Sequence, residues 1–424
     1  MIDAVAERGY GETSVADVHM RAGVSRKAFY EHFANKEDCF LQTYDTVVAE
    51  ELARVASAYS AADGVLSGIQ AGLEVLVERA IGNPRVLRLV LVEIGGLGPA
   101  GIERRERLIA DYERMLRENL GVATVPGMIP TPILRAIVGG LSKVFYARAQ
   151  SGRQGQLRKL VPDLMWWLTS YYPAPAEVME MLRAHQSRPT DRLEGGRAPG
   201  TLWPNPISGG RRGLRGEHTR SHSFVVHNQR ERILDAVANL SAAKGYAAMT
   251  VKDIAEEAAV SVDAFYEHFA DKEDAFLVAY EVGHGKGLAI VQRAYDGAHD
   301  WRWGVRAGIA ALFDFLASEP AFAHLALVDA LIATSRSAER AAKGVTVYAQ
   351  MLVPGLEATS DAEQLPAVTI EAIAGGIFEL CLTYTLQKRT QDLPEMVPRT
   401  TYFALTPFIG AMQAARIATE ADPG

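Results

Sequence analysis

Ser25, Arg26, Lys27 and Tyr30 open a short run, SRKAFYEH, with His32 at its end and Lys36 just beyond it. A serine able to cap a helix, two cations and a phenol close to its first turn form a cluster of hydrogen-bond donors. Such a cluster suits phosphate and the edges of bases, because the first turn of a helix also presents free backbone N–H groups. The run recurs 236 residues later as SVDAFYEH, where Ser261, Tyr266, His268 and Lys272 keep their types. Arg26 and Lys27 are replaced there by Val262 and Asp263.

The elements that must hold these residues are legible around them. Ser14 precedes the apolar-periodic VADVHMRA with Asp17 three residues on, a capping-box arrangement that starts a helix. Gly23 supplies a tight turn, and Ser25 caps the helix that follows. Phe29 and Val24 have the spacing to fill the core beneath, leaving Arg26, Lys27 and Tyr30 outward. In the second copy Thr250, Asp253, Val260, Ser261 and Phe265 keep this scaffold, while HMRAG becomes AEEAA with Glu256 and Glu257. Ala259 replaces Gly23, removing the residue that most readily turns left-handed. Residues 9–36 hold four Lys/Arg against three acids, whereas 245–272 hold two against six. Acid facing a phosphate-rich partner weakens binding, so copy one is expected to carry most of any DNA affinity.

The duplication extends well past these helices. Residues 9–44 and 245–280 align without a gap at 20 of 36 positions. The same offset pairs Pro84 with Pro320, Tyr112 with Tyr348, Pro130 with Pro366, and AIVGGL at 136–141 with AIAGGI at 372–377. Long apolar-faced segments recur and strand-like alternation is scarce, so an all-α protein is expected. Its expected domains are 1–50, a helix-turn-helix unit with a short first helix, and 51–185, a larger helical bundle. A linker over 186–227 then leads to a second helix-turn-helix unit at 228–286 and a second bundle at 287–421. The linker stretch is rich in Gly and Pro and carries seven arginines against three acids, a composition that favours a flexible tether. As a flexible coil it spans roughly 35–40 Å, near the ~34–36 Å between successive major grooves on one face of DNA. Arg211, Arg212, Arg215 and Arg220 could serve as a basic arm for phosphate or a narrow minor groove.

The combination of a spaced Gly-Tyr, TSVADVHMRAGVSRKAFYEHFANKEDCF and its second form TVKDIAEEAAVSVDAFYEHFADKEDAF resembles the N-terminal domain of the TetR family of bacterial transcriptional regulators. The resemblance is detailed over about 1–50 and 228–286 and architectural beyond. It implies operator binding as a dimer, repression, and release of DNA when a small molecule enters the larger helical domain. It places Ser25, Arg26, Lys27 and Tyr30, with Ser261, Val262, Asp263 and Tyr266, on recognition helices. His32, Lys36, His268 and Lys272 fall at backbone-contact positions. It also implies a dimer interface at the last helices of each unit. The 129–171 and 366–417 helix pairs could therefore form a four-helix bundle within one chain, an intramolecular pseudo-dimer, or join two chains as a homodimer. Ala136, Gly139, Gly140, Ala372, Gly375 and Gly376 are small enough for close helix approach.

Composition narrows the alternatives. The chain has 424 residues, 48% hydrophobic and 22% charged, enough for two domains of about 200 residues. A net charge of −7 leaves nucleic-acid binding to local patches. Cys39 and Cys381 support neither a disulfide framework nor a zinc site, and no metal or cofactor is expected. A cytoplasmic protein without a membrane span is expected. The histidines form no HExxH, and neither a G-x-G-x-x-G nor a P-loop context is present, so no enzyme is expected. Glu93 and Asp329, matched positions in apolar helices, are candidate ligand contacts for a small apolar or amphipathic effector. The acid on the second copy keeps one alternative open, an interaction protein that has reduced or lost DNA binding.

Overall fold

The computed structural model describes residues 1–119, 131–173, 175–184, 222–358 and 365–423, and every regular element among them is helical. The all-α expectation holds. The first copy contains α1 (Ile2–Glu12), α2 (Val15–Ala22), α3 (Arg26–His32), α4 (Lys36–Ser60), α5 (Val65–Gly82) and α6 (Pro84–Leu91). A 3-10 turn, Glu93–Leu97, leads to α7 (Pro99–Asn119), α8 (Thr131–Gln150), α9 (Leu157–Thr169) and α10 (Ala176–Ala184). The second copy repeats the opening with α11 (His222–Ala248), α12 (Val251–Glu257), α13 (Val262–His268), α14 (Lys272–Asp296), α15 (Trp301–Ser318) and α16 (Pro320–His324). A π-helical turn, Leu325–Asp329, continues into α17 (Ala330–Ile332), α18 (Ser335–Ala349) and α19 (Val353–Glu357). The chain closes with α20 (Val368–Leu386), α21 (Val397–Ile409) and α22 (Ala411–Thr419). Helix α11 begins inside the stretch read as linker, and the four linker arginines lie outside the described residues.

Two compact units emerge, and they do not follow the sequence copies. The first draws on described residues of 1–185, 349–380 and 398–421, and the second on those of 186–348, 381–397 and 422–424. The sequence boundaries assign all of 287–421 to one domain, whereas α21, α22 and most of α20 belong to the first unit. The reason is apolar burial in that unit. Trp167 and Tyr171, from and just after α9, pack on Phe403 of α21, and Tyr171 Oη donates to the Phe403 carbonyl at 2.9 Å.

The crossing of α8 and α20 in the first unit is reciprocal. A Cβ built on Gly140 would lie 2.3 Å from the Ala372 carbonyl oxygen, and one on Gly376 would lie 2.5 Å from that of Ala136. These four residues are two pairs at the 236-residue offset, so each helix offers the same glycine to the same carbonyl of the other. Gly139 against Glu379 and Gly375 against Lys143 form a second reciprocal set. Charge breaks the symmetry: Arg135 and Lys143 of α8 correspond to Glu371 and Glu379 of α20. Arg148 donates to Glu371 Oε2 at 2.5 Å, and Arg105 donates to the almost fully buried Glu379 at 2.7 Å. Helix α20 is long and apolar enough to cross a membrane by composition, which the sequence reading did not anticipate. However, 72% of its apolar window is buried, and it carries Glu371 and Glu379.

Candidate nucleic-acid interface

The first head is built by its caps. Ser14 accepts the Asp17 amide at 3.2 Å while Asp17 accepts the Ser14 amide at 2.9 Å, closing the capping box that starts α2. Hydrogen bonding from Ser14 holds the Asp17 carboxyl below its usual range. Gly23 ends α2 at φ 68°, a left-handed conformation, and Ser25 caps α3 by accepting the Ala28 amide at 3.1 Å. Phe29 is buried beneath α3, so Ser25, Arg26, Lys27, Tyr30 and His32 are left exposed. Arg26 stands over the Tyr30 ring at 5.6 Å. A cation, an ammonium and a phenol are thereby presented on one short helix. Val24, expected in the core, is instead exposed, because the turn that carries it faces outward.

Lys36 begins α4 as expected, and its ammonium is engaged by the scaffold. Its ammonium donates to the Tyr10 carbonyl at 2.9 Å and sits 4.2 Å from the Tyr10 ring centroid. Lys272 does the same in the second head, donating to the Tyr246 and Met249 carbonyls at 3.0 and 2.9 Å. Both lysines close the carbonyl end of a first helix, which directs their charge to the scaffold. His268 is half-buried, and burial lowers its pKa.

The second head keeps the geometry and changes the surface. Thr250 and Asp253 form its capping box, Ser261 accepts the Ala264 amide at 3.0 Å, and Tyr266 is exposed. Ala259 adopts φ 51° where copy one has Gly23, a conformation costing an L-residue roughly 1 kcal/mol or more. Arg232 of α11 holds this strained turn through the Ala258 and Ala259 carbonyls, a clamp that the sequence reading missed. Val262, Asp263, Glu256 and Glu257 are exposed, so the acid lies at the surface as expected.

Glu93 and Asp329, read as candidate ligand contacts, are occupied otherwise. Gly9 and Gly245 break the first helices at φ 76° and 77°, freeing the next amide from its helical partner. Glu93 accepts that amide, from Tyr10, at 2.8 Å and also the Arg88 guanidinium at 2.8 Å. Asp329 accepts the Tyr246 amide at 2.8 Å and the Ser241 hydroxyl at 2.7 Å. Each carboxylate thus fastens a head to its larger helical region. A cavity of about 200 Å³ lies in the first unit among α4–α9, and Glu93 is not in its wall.

A family model for bacterial regulatory proteins of the tetR family matches residues 3–43 and 233–279. The chain carries two TetR-family heads in tandem. Both matches fall on the heads described above. The tandem is 43% identical over 63 residues to an uncharacterised HTH-type transcriptional regulator, YerO, of Bacillus subtilis strain 168, covering 15% of the tandem and 22% of that relative. It is 29% identical over 101 residues to the HTH-type transcriptional activator FasR of Mycolicibacterium smegmatis, covering 24% of the tandem and 46% of that relative. The match therefore spans less than half the length of either curated relative. The fatty acid degradation regulator FadR from Bacillus halodurans aligns over 42% of the tandem and 94% of its own chain, at 19% identity and a TM-score of 0.38.

Proposed function

We propose that this tandem is a DNA-binding transcriptional regulator, a repressor released by a small apolar or amphipathic effector, and that one chain engages an operator as a covalent pseudo-dimer. The observation that carries the reading is the face of α3, where Arg26 and Lys27 project from the first turn and Tyr30 from the next, on a helix capped by Ser25. Such a helix offers a base-reading edge together with phosphate contacts. The second head contributes positioning more than affinity, since its matching first turn carries Val262 and Asp263.

The pseudo-dimer reading rests on the α8–α20 crossing. Its reciprocal glycine contacts have the form of a two-fold interface, in which the same patch meets itself. Its charges favour unlike pairing. Two copies of α8 would oppose Arg135 and Lys143 to one another, and two copies of α20 would oppose Glu371 and Glu379. Like charges of this kind disfavour the wrong partner. A site read by one chain is consequently asymmetric.

Gel shifts with the DNA upstream of the protein's own gene test the reading. Saturable binding that survives random competitor DNA and is weakened by Arg26→Ala/Lys27→Ala supports it. The acidic surface of the second head favours one other reading, an interaction protein without DNA binding. No sequence-selective binding across promoter fragments would favour that reading.

A further inference from the structure

The two units differ where a ligand would lie. The cavity of the first unit is walled mainly by apolar side chains from α4 to α9, with one ion pair among them. Arg79 sends both Nε and Nη2 to the same carboxylate oxygen, Glu51 Oε1, at 2.8 and 2.6 Å. Glu51 Oε2 is buried and has no hydrogen-bond partner. A buried acceptor left unmade in an apolar surround is costly, and it marks a place where a ligand donor gains a full hydrogen bond. Tyr112 lines the same cavity, and its phenol is held neutral by burial and then by the Glu51 charge.

At the 236-residue offset, Glu51 and Arg79 become Gly287 and Phe315, and Val86 becomes Phe322. The substitutions are matched in space. A Cβ on Gly287 would lie 2.8 Å from the Phe315 ring, and one on Gly283 would lie 2.1 Å from that of Phe322. Phe315 and Phe322 pack together at 5.6 Å between centroids. Small residues on α14 thus receive large rings from α15 and α16. Where the first unit holds an ion pair beside open space, the second packs aromatic side chains against glycines.

We infer that the tandem senses through one unit only: the first-unit cavity binds a single amphipathic molecule whose apolar body fills it and whose hydroxyl or ammonium donates to Glu51 Oε2, while the second copy has no equivalent site. An engineered apolar cavity of about 150 Å³ holds one benzene, so this one takes a body of roughly eight to ten heavy atoms. A carboxylate is selected against. Both Arg79 donors that reach Glu51 are engaged there, and an anion would have to share that guanidinium with the carboxylate already on it. An ammonium or hydroxyl meets an oxygen that needs a donor. This deepens the effector reading above and rests on it for its regulatory meaning.

Calorimetric titration of the full chain with 1-octanol, octylamine and octanoate tests the inference, with operator affinity measured in parallel. The expected result is one octanol or octylamine bound per chain and octanoate at least tenfold weaker. Glu51→Gln keeps the side chain's size and should weaken octylamine at least tenfold. Glu51→Gly with Arg79→Phe, the residue pair of the second copy, should abolish binding. Octanoate binding as well as octylamine, two sites per chain, no binding by any probe, or an indifferent Glu51→Gln would each overturn it. Octylamine binding in the predicted pattern without any change in operator affinity would remove the effector reading and leave the site. Release of DNA by octanoate alone would remove the site's donor chemistry and leave the effector reading.

Discussion

Gly140 of α8 and Gly376 of α20 each face a carbonyl of the opposite helix so closely that a Cβ would sit 2.3 and 2.5 Å from it. The relationship is reciprocal at the 236-residue offset, and neither glycine can grow without separating the helices. Gly140→Ala and Gly376→Ala should therefore each destabilise the first unit by about 1–3 kcal/mol, the range for overpacking a well-filled core. Thermal unfolding of both variants checks this. Gly155→Ala, where a Cβ would meet nothing within 4 Å, is the control and should leave the melting temperature nearly unchanged.

Lys143 lies beside this crossing, with its ammonium 5.8 Å from the Phe378 ring centroid, and burial pushes its pKa down to about 8. The nearby Arg105 charge acts in the same direction, and Glu371 opposes it. The folded value lies below the free-lysine value of about 10.4. The relief from deprotonation is thus complete above that value and lost as pH falls through about 8. Lys143→Met should raise the melting temperature at pH 7, and the gain should shrink as pH rises toward 10. A gain independent of pH would show that the ammonium is not the source.

The Glu93–Tyr10 and Asp329–Tyr246 bonds fasten heads to helical regions at matched positions. Glu93→Ala should leave the Tyr10 amide without its acceptor at a cost of about 1–3 kcal/mol. Hydrogen exchange should then accelerate in α1 more than in α4. Effector binding should persist in this variant while its effect on operator affinity falls, because the connection between the two regions is cut. Undiminished coupling would assign the carboxylate to local stability alone.

Arg26→Ala with Lys27→Ala should weaken operator binding and reduce the salt dependence by as much as roughly two units, since each phosphate that is no longer neutralised removes nearly one unit of slope. Val262→Ala with Asp263→Ala should do less, since neither residue supplies positive charge. Fluorescence anisotropy across a salt series measures both. Equal losses in the two heads would contradict the asymmetry.

Much of this architecture was legible in the sequence because it rests on local rules. Ser14 with Asp17, Gly23, and Ser25 fix two helices and a turn by caps alone, and the second copy repeats the register. Contacts between distant helices were not legible in that way. Glu93 and Asp329 stood out as acids in apolar helices, but their partners are backbone amides freed by kinks 83 residues earlier. The bond from Lys36 to the Tyr10 carbonyl was likewise hidden, because a backbone acceptor leaves no mark on side-chain types. The Glu51–Arg79 pair was missed although a signal was present. Both residues change together at the offset, to Gly287 and Phe315, as expected when a cavity is filled in one copy and hollowed in the other.

Whether one chain is the complete operator-reading unit is decided by the mass of the protein–operator complex. Light scattering on the complex, isolated by size exclusion with a duplex defined by footprinting, counts chains per DNA. One 46.1 kDa chain per duplex, protecting an asymmetric site, is the predicted result. Two chains on a palindromic site would contradict the one-chain reading, as would a chain that forms no stable complex with any footprinted fragment.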